Sequence, residues 1–385
     1  MTSISTLLPT YATIDLAALA YNLSQIKRCL SPTCDIMAIV KANAYGHGAV
    51  ETAHALARQG IKRFAVASLD EGIALRHAGL SASIVVLGAL LEDQVPDLLA
   101  HQLTPVISDG HILPTLAKAA RSQPAPYPIH LKVETGMGRL GFSPEELLSL
   151  LDDPILRNPL QIEGLMTHLA DADGTDSAFT ERQLGIFRSM LEQARQHGLT
   201  IPFLHTANSA AIVRFPDAHF SLVRPGLMLY GYHTLPPSIS APNLKPVLSL
   251  QSTIVQLRSI PSGGTVSYNR TFVAQRPTRI AVLPIGYADG YSRRLSYRGS
   301  VLIQGRRAPI IGLVCMDMIM IDVTDLGPVR VGEIVTLIGQ QGGESIWADE
   351  VADWIDTIPY EILCGIGPRV PRIYETAARD ERDHE

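Results

Sequence analysis

The chain has 385 residues, of which 46% are hydrophobic and 18% charged, with a net charge of −5 and a pI near 6.2. That length exceeds one ordinary core and fits two domains, one of which can be a large barrel. The mild acidity argues against nucleic acid or an anionic membrane as partner, and no apolar stretch approaches the roughly 18 residues of a spanning helix.

The N-terminus, MTSISTLLPTYATIDL, has no basic stretch followed by an apolar run, so no secretory signal is visible. Cys29, Cys34, Cys315 and Cys364 form no CxxC or metal-ligand spacing and suit a reducing compartment. A cytoplasmic globular protein without a metal site is expected. From Asp35 to about Gly231, short apolar runs alternate with amphipathic segments. The runs are IMAIV (36–40), FAVAS (64–68), IVVLG (84–88), PVIS (105–108), IHLKV (129–133), IEGLM (162–166), PFLHT (202–206) and SLVRP (221–225). Helix-like stretches such as 48–59, 70–79, 144–153 and 178–198 lie between them. Eight such strand–helix units without a GxGxxG turn predict a closed (β/α)8 TIM-type barrel rather than an open doubly wound sheet.

At 236–246 the texture becomes Pro/Ser-rich, as in a linker. Beyond it come β-type runs at 247–260, 279–286, 300–305, 308–314, 318–323 and 333–339, then a short helix near Ala348–Trp354 and a charged, fraying tail, ETAARDERDHE. The fold class is therefore α/β, with a barrel over residues 1–240 followed by a mostly β domain over 241–385.

Chemistry in such a barrel gathers where strands end. Lys41 follows the first run, where its amine could condense with a carbonyl cofactor or simply open a surface loop. Arg139 follows the fifth run and His168 the sixth; Asn208 and Ser209 follow the seventh; Arg224, Gly226 and Leu227 follow the eighth. The last two loops commonly hold a phosphate through backbone N–H groups. Ser209 offers a hydroxyl there, equally suited to a helix N-cap, and Gly226 lets backbone approach an anion.

The string AIVKANAYGHG (38–48) closely resembles the pyridoxal-phosphate lysine segment of alanine racemases. VSYNRTF (266–272), LPIGYADGYSRRLS (283–296), VCMDMIMIDVTD (314–325) and PYEILCGIGPRVPR (359–372) match further segments of that family in the same order, so the resemblance spans nearly the whole chain. It implies an isomerase interconverting L- and D-alanine, supplying D-alanine for peptidoglycan. It further implies that pyridoxal 5'-phosphate is attached to Lys41 and bound by Tyr45, His168, Asn208, Ser209, Arg224, Gly226, Leu227 and Tyr360. In the family the arginine matching Arg224 faces the pyridine nitrogen, where a fixed cation disfavours protonation and leaves a weaker electron sink.

Racemisation requires a proton removed on one face of Cα and returned on the other. Lys41 is one acid/base group, and the resemblance supplies Tyr268 as the second, drawn from the partner subunit of a homodimer. A free tyrosine has a pKa of about 10, so a nearby cation is needed, with His168 and Arg139 as candidates. Arg139 and the backbone of Met316 match contacts to the substrate carboxylate, and Lys132 matches a position often carbamylated in the family. Asn269 departs from the glycine frequent after the catalytic tyrosine, but asparagine tolerates positive φ. A decarboxylase of the same architecture and a non-catalytic carrier of pyridoxal phosphate are the competing readings.

Overall fold

The computed structural model describes residues 8–376, so the tail beyond Thr376, where fraying is expected, lies outside the described residues. The described chain divides into two compact units. One comprises Leu19–Ala44 and Ala49–Lys245; the other takes in the described part of the N-terminus up to Ala18, the segment Tyr45–Gly48, and the chain from Pro246 onward.

The first unit is the barrel. Its eight parallel strands are Asp35–Ile39, Arg63–Val66, Ser83–Val86, Thr104–Ile107, Tyr127–Lys132, Leu160–Met166, Phe203–His205 and Leu222–Val223. They pair in chain order, and the eighth returns to the first through Asp35↔Leu222 and Ile36↔Val223. Between the seventh and eighth, Arg224 N–H donates to the Ala207 carbonyl at 2.9 Å and Ser221 N–H to that of Leu204 at 3.3 Å. Each strand coincides with an apolar run of the sequence to within a residue or two, because a strand covered on both faces needs a near-continuous hydrophobic string. The intervening helices obey local rules. Ser68 with Glu71 and Ser143 with Glu146 form capping boxes. The long helix Ala178–Gln196 buries Gln183, Leu184, Phe187, Met190, Leu191 and Ala194 along one stripe. Buried Asn22 ends the linker: its side chain donates to the Leu229 and Lys245 carbonyls and accepts from Lys245 N–H.

In the second unit one sheet runs Arg306–Pro309, Ser300–Ile303, Ile334–Gln341, Leu248–Thr253, Thr10–Asp15, Arg372–Glu375, with Glu344–Ile346 paired to Ile334–Gln341. Gln256–Ile260, Thr278–Leu283 and Ile319–Asp322 make a second sheet, and Thr265–Val266 pairs with Phe272–Val273. The strand Thr10–Asp15, which the sequence reading groups with residues 1–240, thus belongs to the sheet of this unit. Alternation along a strand shows which face is buried but not which sheet it joins. The run 308–314 is not one strand either. Gly312 turns it with φ +70, and a Cβ there would meet the Ser267 Cβ at 2.6 Å. A helix at Ala348–Trp354 is present as expected, and a second at Pro359–Gly365 follows it.

Candidate active site

Lys41 leaves the first barrel strand at a tightly held point. Ile39 N–H donates to the Pro225 carbonyl at 3.1 Å, Val40 N–H to that of Ala65 at 2.9 Å, and the Tyr230 hydroxyl to the Ile39 carbonyl at 2.8 Å. The backbone then enters the left-handed region for four residues, Ala42 to Tyr45, with φ of 52 to 54. Left-handed backbone costs an L-residue roughly 1–2 kcal/mol, so the surroundings must enforce it. Ala44 N–H donates to the Val40 carbonyl at 2.8 Å, Ala42 N–H to the Glu71 carboxylate at 2.6 Å, and Ala49 N–H to the Asn43 side chain at 2.9 Å. Glu71, which lies outside every motif string of the sequence, closes its own helix cap and braces the lysine turn.

Arg224 is buried inside the barrel and has no carboxylate partner among the described residues. Nη1 donates to His205 Nδ1 at 3.0 Å and to the His205 carbonyl at 2.6 Å. Nη2 donates to the Thr167 and Thr206 carbonyls at 2.7 and 3.0 Å and faces His168 Nδ1 at 3.4 Å. Those acceptors consume the four Nη hydrogens and leave Nε–H without one among the described residues. Burial pulls Arg224 down to about 9, so it stays cationic near neutral pH. The same cluster sets its neighbours. Burial, then Arg224, Arg139, Lys132 and Lys41, drive His168 down to about 3, which makes its ring neutral. Burial and then Arg139 and Arg224 lower Lys132 to about 8, although Glu134 pulls the other way. Lys41, Lys132, Arg139, His168 and Arg224 are therefore electrically one group.

Asn208 is the N-cap of the helix Ser209–Arg214, accepting from Ala211 N–H at 3.1 Å. That frees Ser209, whose Oγ accepts instead from Gly226 N–H at 3.0 Å and Met228 N–H at 3.4 Å. Ser209 is thus not the cap that the sequence also allowed. Leu227 opens a buried 3-10 turn, Leu227–Tyr230, beside it. Arg139 lies in a glycine-rich loop organised by Glu134, whose carboxylate accepts from the N–H groups of Gly136 and Arg139. Gly141, with φ +132, belongs to the same close packing, since a Cβ there would meet Glu134 N at 2.7 Å.

The second unit holds two more groups of sequence-selected residues. Tyr45 is buried, its ring 5.7 Å from that of Tyr360, and burial pushes its phenol up. Gly46 beside it has φ +83, and a Cβ there would clash with the Leu363 carbonyl at 2.1 Å. Tyr268 and Met316 line one cavity of about 590 Å³ together with Arg258, Ile260, Val266 and Cys315. Tyr268 is 64% exposed and Met316 51%. Asn269 sits at φ +57, in the left-handed region that asparagine tolerates. Ser267 anchors the turn, its Oγ donating to the Leu313 carbonyl at 2.9 Å and accepting from Leu313 N–H at 3.0 Å. The carbonyl of Met316 accepts from Ala288 N–H at 3.0 Å, whereas its own N–H has no acceptor among the described residues.

A barrel whose strand ends gather lysines, arginines and a neutral histidine, joined to a β unit with an exposed tyrosine, defines a two-unit barrel enzyme. The alanine racemase N-terminal domain family matches residues 14–234 and the alanine racemase C-terminal domain family residues 247–374. An alanine racemase of Halothermothrix orenii is 45% identical over 367 residues, covering 95% of this chain and 97% of the relative. The alanine racemase structure of Clostridium difficile superposes with a TM-score of 0.91 at 32% identity, covering 96% of this chain and 97% of that one. The Bartonella henselae alanine racemase with covalently bound pyridoxal phosphate gives 0.86 at 32% identity, covering 96% of this chain and 100% of that one. The chain belongs to the alanine racemase family.

Proposed function

We propose that this protein is a pyridoxal-5'-phosphate-dependent alanine racemase with a two-base mechanism. The observation that carries the reading is Arg224. Among the described residues it is a buried cation with no carboxylate partner, held by three carbonyls and two imidazoles and keeping one N–H uncommitted. That donor suits an aromatic nitrogen acceptor that is to remain unprotonated. The phosphate fits as well, since Ser209 Oγ accepts from the Gly226 and Met228 N–H groups and so keeps its own hydroxyl proton to donate to an anion. Lys41 would carry the cofactor; Tyr45, Asn208, Ser209, Gly226, Leu227 and Tyr360 would hold its phosphate end, and His168 and Arg224 its ring. When bound, pyridoxal phosphate draws electron density from the substrate's Cα and so weakens the Cα–H bond.

The chain supplies the proton chemistry. The Lys41 amine takes or returns the Cα proton on one face, and the Tyr268 phenol does so on the other. Arg139 and the uncommitted N–H of Met316 bind the alanine carboxylate. Lys132, with a free-amine fraction of about a tenth at pH 7, is a candidate for carbamylation, which would turn its repulsion of Arg139 into attraction. Tyr268 and Met316 stand on the β unit and are exposed on a single chain, which supports a homodimer whose sites each draw Tyr268 from the partner. The functional division is a cofactor-binding barrel and a β domain bearing the second base. No helix among the described residues is long and apolar enough to cross a membrane. Among the described residues no cysteine forms a disulfide, in keeping with a cytoplasmic enzyme making D-alanine for peptidoglycan.

The test is turnover of either alanine enantiomer by the cofactor-loaded protein in deuterium oxide. Racemisation with deuterium entering at Cα and no release of CO2 is expected. Loss of CO2 without racemisation would establish the decarboxylase alternative. Borohydride reduction before digestion should place the label on the peptide containing Lys41.

A further inference from the structure

Behind Arg224 the barrel interior is polar where barrels are ordinarily filled by apolar layers. His205 Nε2 and His130 Nδ1 are 2.9 Å apart, and both side chains are buried. His130 Nε2, also buried, completes no hydrogen bond of good geometry, and the Glu163 carboxylate lies beside it with Oε2 at 3.4 Å. Donor logic fixes the direction of this chain. Arginine only donates, so His205 Nδ1 accepts from Arg224 and its proton is on Nε2. That proton goes to His130 Nδ1, which puts the His130 proton on Nε2, facing the Glu163 carboxylate. Burial keeps both imidazoles neutral.

Two backbone features build the far end. The pairing of the fifth and sixth barrel strands shifts register between Ile129 and His130, with Ile129 opposite Ile162 but His130 opposite Gly164, so Glu163 is the extra residue of a bulge. Gly164 then has to be glycine, since a Cβ there would lie 2.4 Å from His130 Nδ1 and 2.5 Å from its Cγ. Arg63 is the other charged group near Glu163; it pairs with Asp35 and stacks on Phe203.

We propose that Glu163 and His130 are positioning residues for Arg224, fixing the tautomer of His205 that holds the guanidinium and coupling its charge to a carboxylate across two neutral imidazoles. The inference rests on the racemase reading for its consequence but not for its geometry. Polarised chains of this kind strengthen each link, and outer-shell partners of functional histidines typically carry about 10- to 100-fold in affinity or activity where measured at metal sites.

The experiment is ¹⁵N NMR of the histidine-labelled protein, apo and cofactor-loaded, in wild type, Glu163→Gln and Glu163→Leu. Wild type should show His130 and His205 as neutral Nε2–H tautomers in both forms. Glu163→Gln keeps an acceptor carbonyl, so the tautomers should persist, with kcat falling about threefold or less. Glu163→Leu should scramble the tautomers and lower kcat about tenfold or more with KM for alanine nearly unchanged, because Arg224 acts at the cofactor rather than the substrate. An Nδ1–H or doubly protonated His130 or His205 in wild type overturns the proposal. So does Glu163→Leu with unchanged tautomers, whatever its activity. If Glu163→Leu does not fold, the wild-type and Glu163→Gln spectra decide. An inactive wild type with Nε2–H tautomers would sink the racemase reading and leave the chain of groups standing.

Discussion

The candidate site residues of the barrel and those of the β unit live under opposite conditions. On the barrel, Lys132 and Arg224 are buried and His168 is shifted to about 3 by burial and four cations. On the β unit, Tyr268 and Met316 stand mostly in solvent around an open cavity. A barrel interior can preorganise charge by itself, because its strands exclude water on every side and the low dielectric magnifies each interaction. An edge loop cannot do so alone. Its tyrosine becomes a useful base only when another surface desolvates it and brings positive charge close. The barrel groups are thus buried within one chain, whereas those of the β unit would be covered only in the proposed homodimer.

The sharpest way to break this contrast is to separate the two bases. Lys41→Ala and Tyr268→Phe homodimers should each lose roughly 10²–10⁴-fold in kcat, the range of a lost general acid–base group. Mixing and exchanging them should restore activity to about a quarter of wild type, because half the dimers are hetero and half of their sites are whole. Mixed subunits that demonstrably exchange and stay inactive would place both groups in one chain. Arg224→Glu should cost on the order of 10²-fold, the scale of a lost preorganised donor, and raise a long-wavelength absorbance with alanine. A variant that keeps both rate and spectrum would make Arg224 purely structural.

Lys132 tests the barrel side through stability. Its folded pKa, about 8, lies below the ordinary lysine value of 10.5, so the folded state binds this proton less tightly than the unfolded chain. The penalty is absent above pH 10.5, grows as pH falls from there to about 8, and is constant below. Lys132→Gln should therefore stabilise the protein at pH 7, by at most about 3 kcal/mol, and the gain should vanish near pH 11. Denaturant melts in CO2-stripped buffer measure it. If bicarbonate abolishes the gain in parallel with a carbamate ¹³C resonance that requires Lys132, the lysine is modified.

Much of this was legible in the sequence. The eight barrel strands were readable because doubly covered strands must be apolar runs. The lysine, arginine and tyrosine candidates stand out in the sequence because they sit in motif strings. What remained hidden is non-local. Thr10–Asp15 chooses its sheet through Leu248–Thr253 and Arg372–Glu375, more than 200 residues away. Glu71 carried a signal, the capping box, but not its second bond to the Ala42 backbone. His205 lay within the HTANSAA string, yet nothing in that string says that its imidazole meets Arg224. Glu163 and His130 meet through a bulge that no local pattern announces.

Asn269 gives the smallest effect and the finest probe of the β unit. Its φ of +57 and ψ of 9 lie in the left-handed region, where asparagine is tolerated and glycine is free of strain. Asn269→Gly removes that modest strain but adds backbone freedom to the unfolded chain, worth about 0.4–1 kcal/mol. The two should nearly cancel, leaving stability within about 0.5 kcal/mol of wild type and kcat almost unaltered. Asn269→Val should be different, since a β-branched residue resists positive φ and left-handed backbone costs it roughly 1–2 kcal/mol. Because Tyr268 precedes this turn and Ser267 anchors it on Leu313, that strain should appear as lost kcat more than as lost stability. Thermal melts and kcat for both variants separate the cases. A large loss in Asn269→Gly would mean that the asparagine side chain, rather than the turn it permits, has a role beside Tyr268.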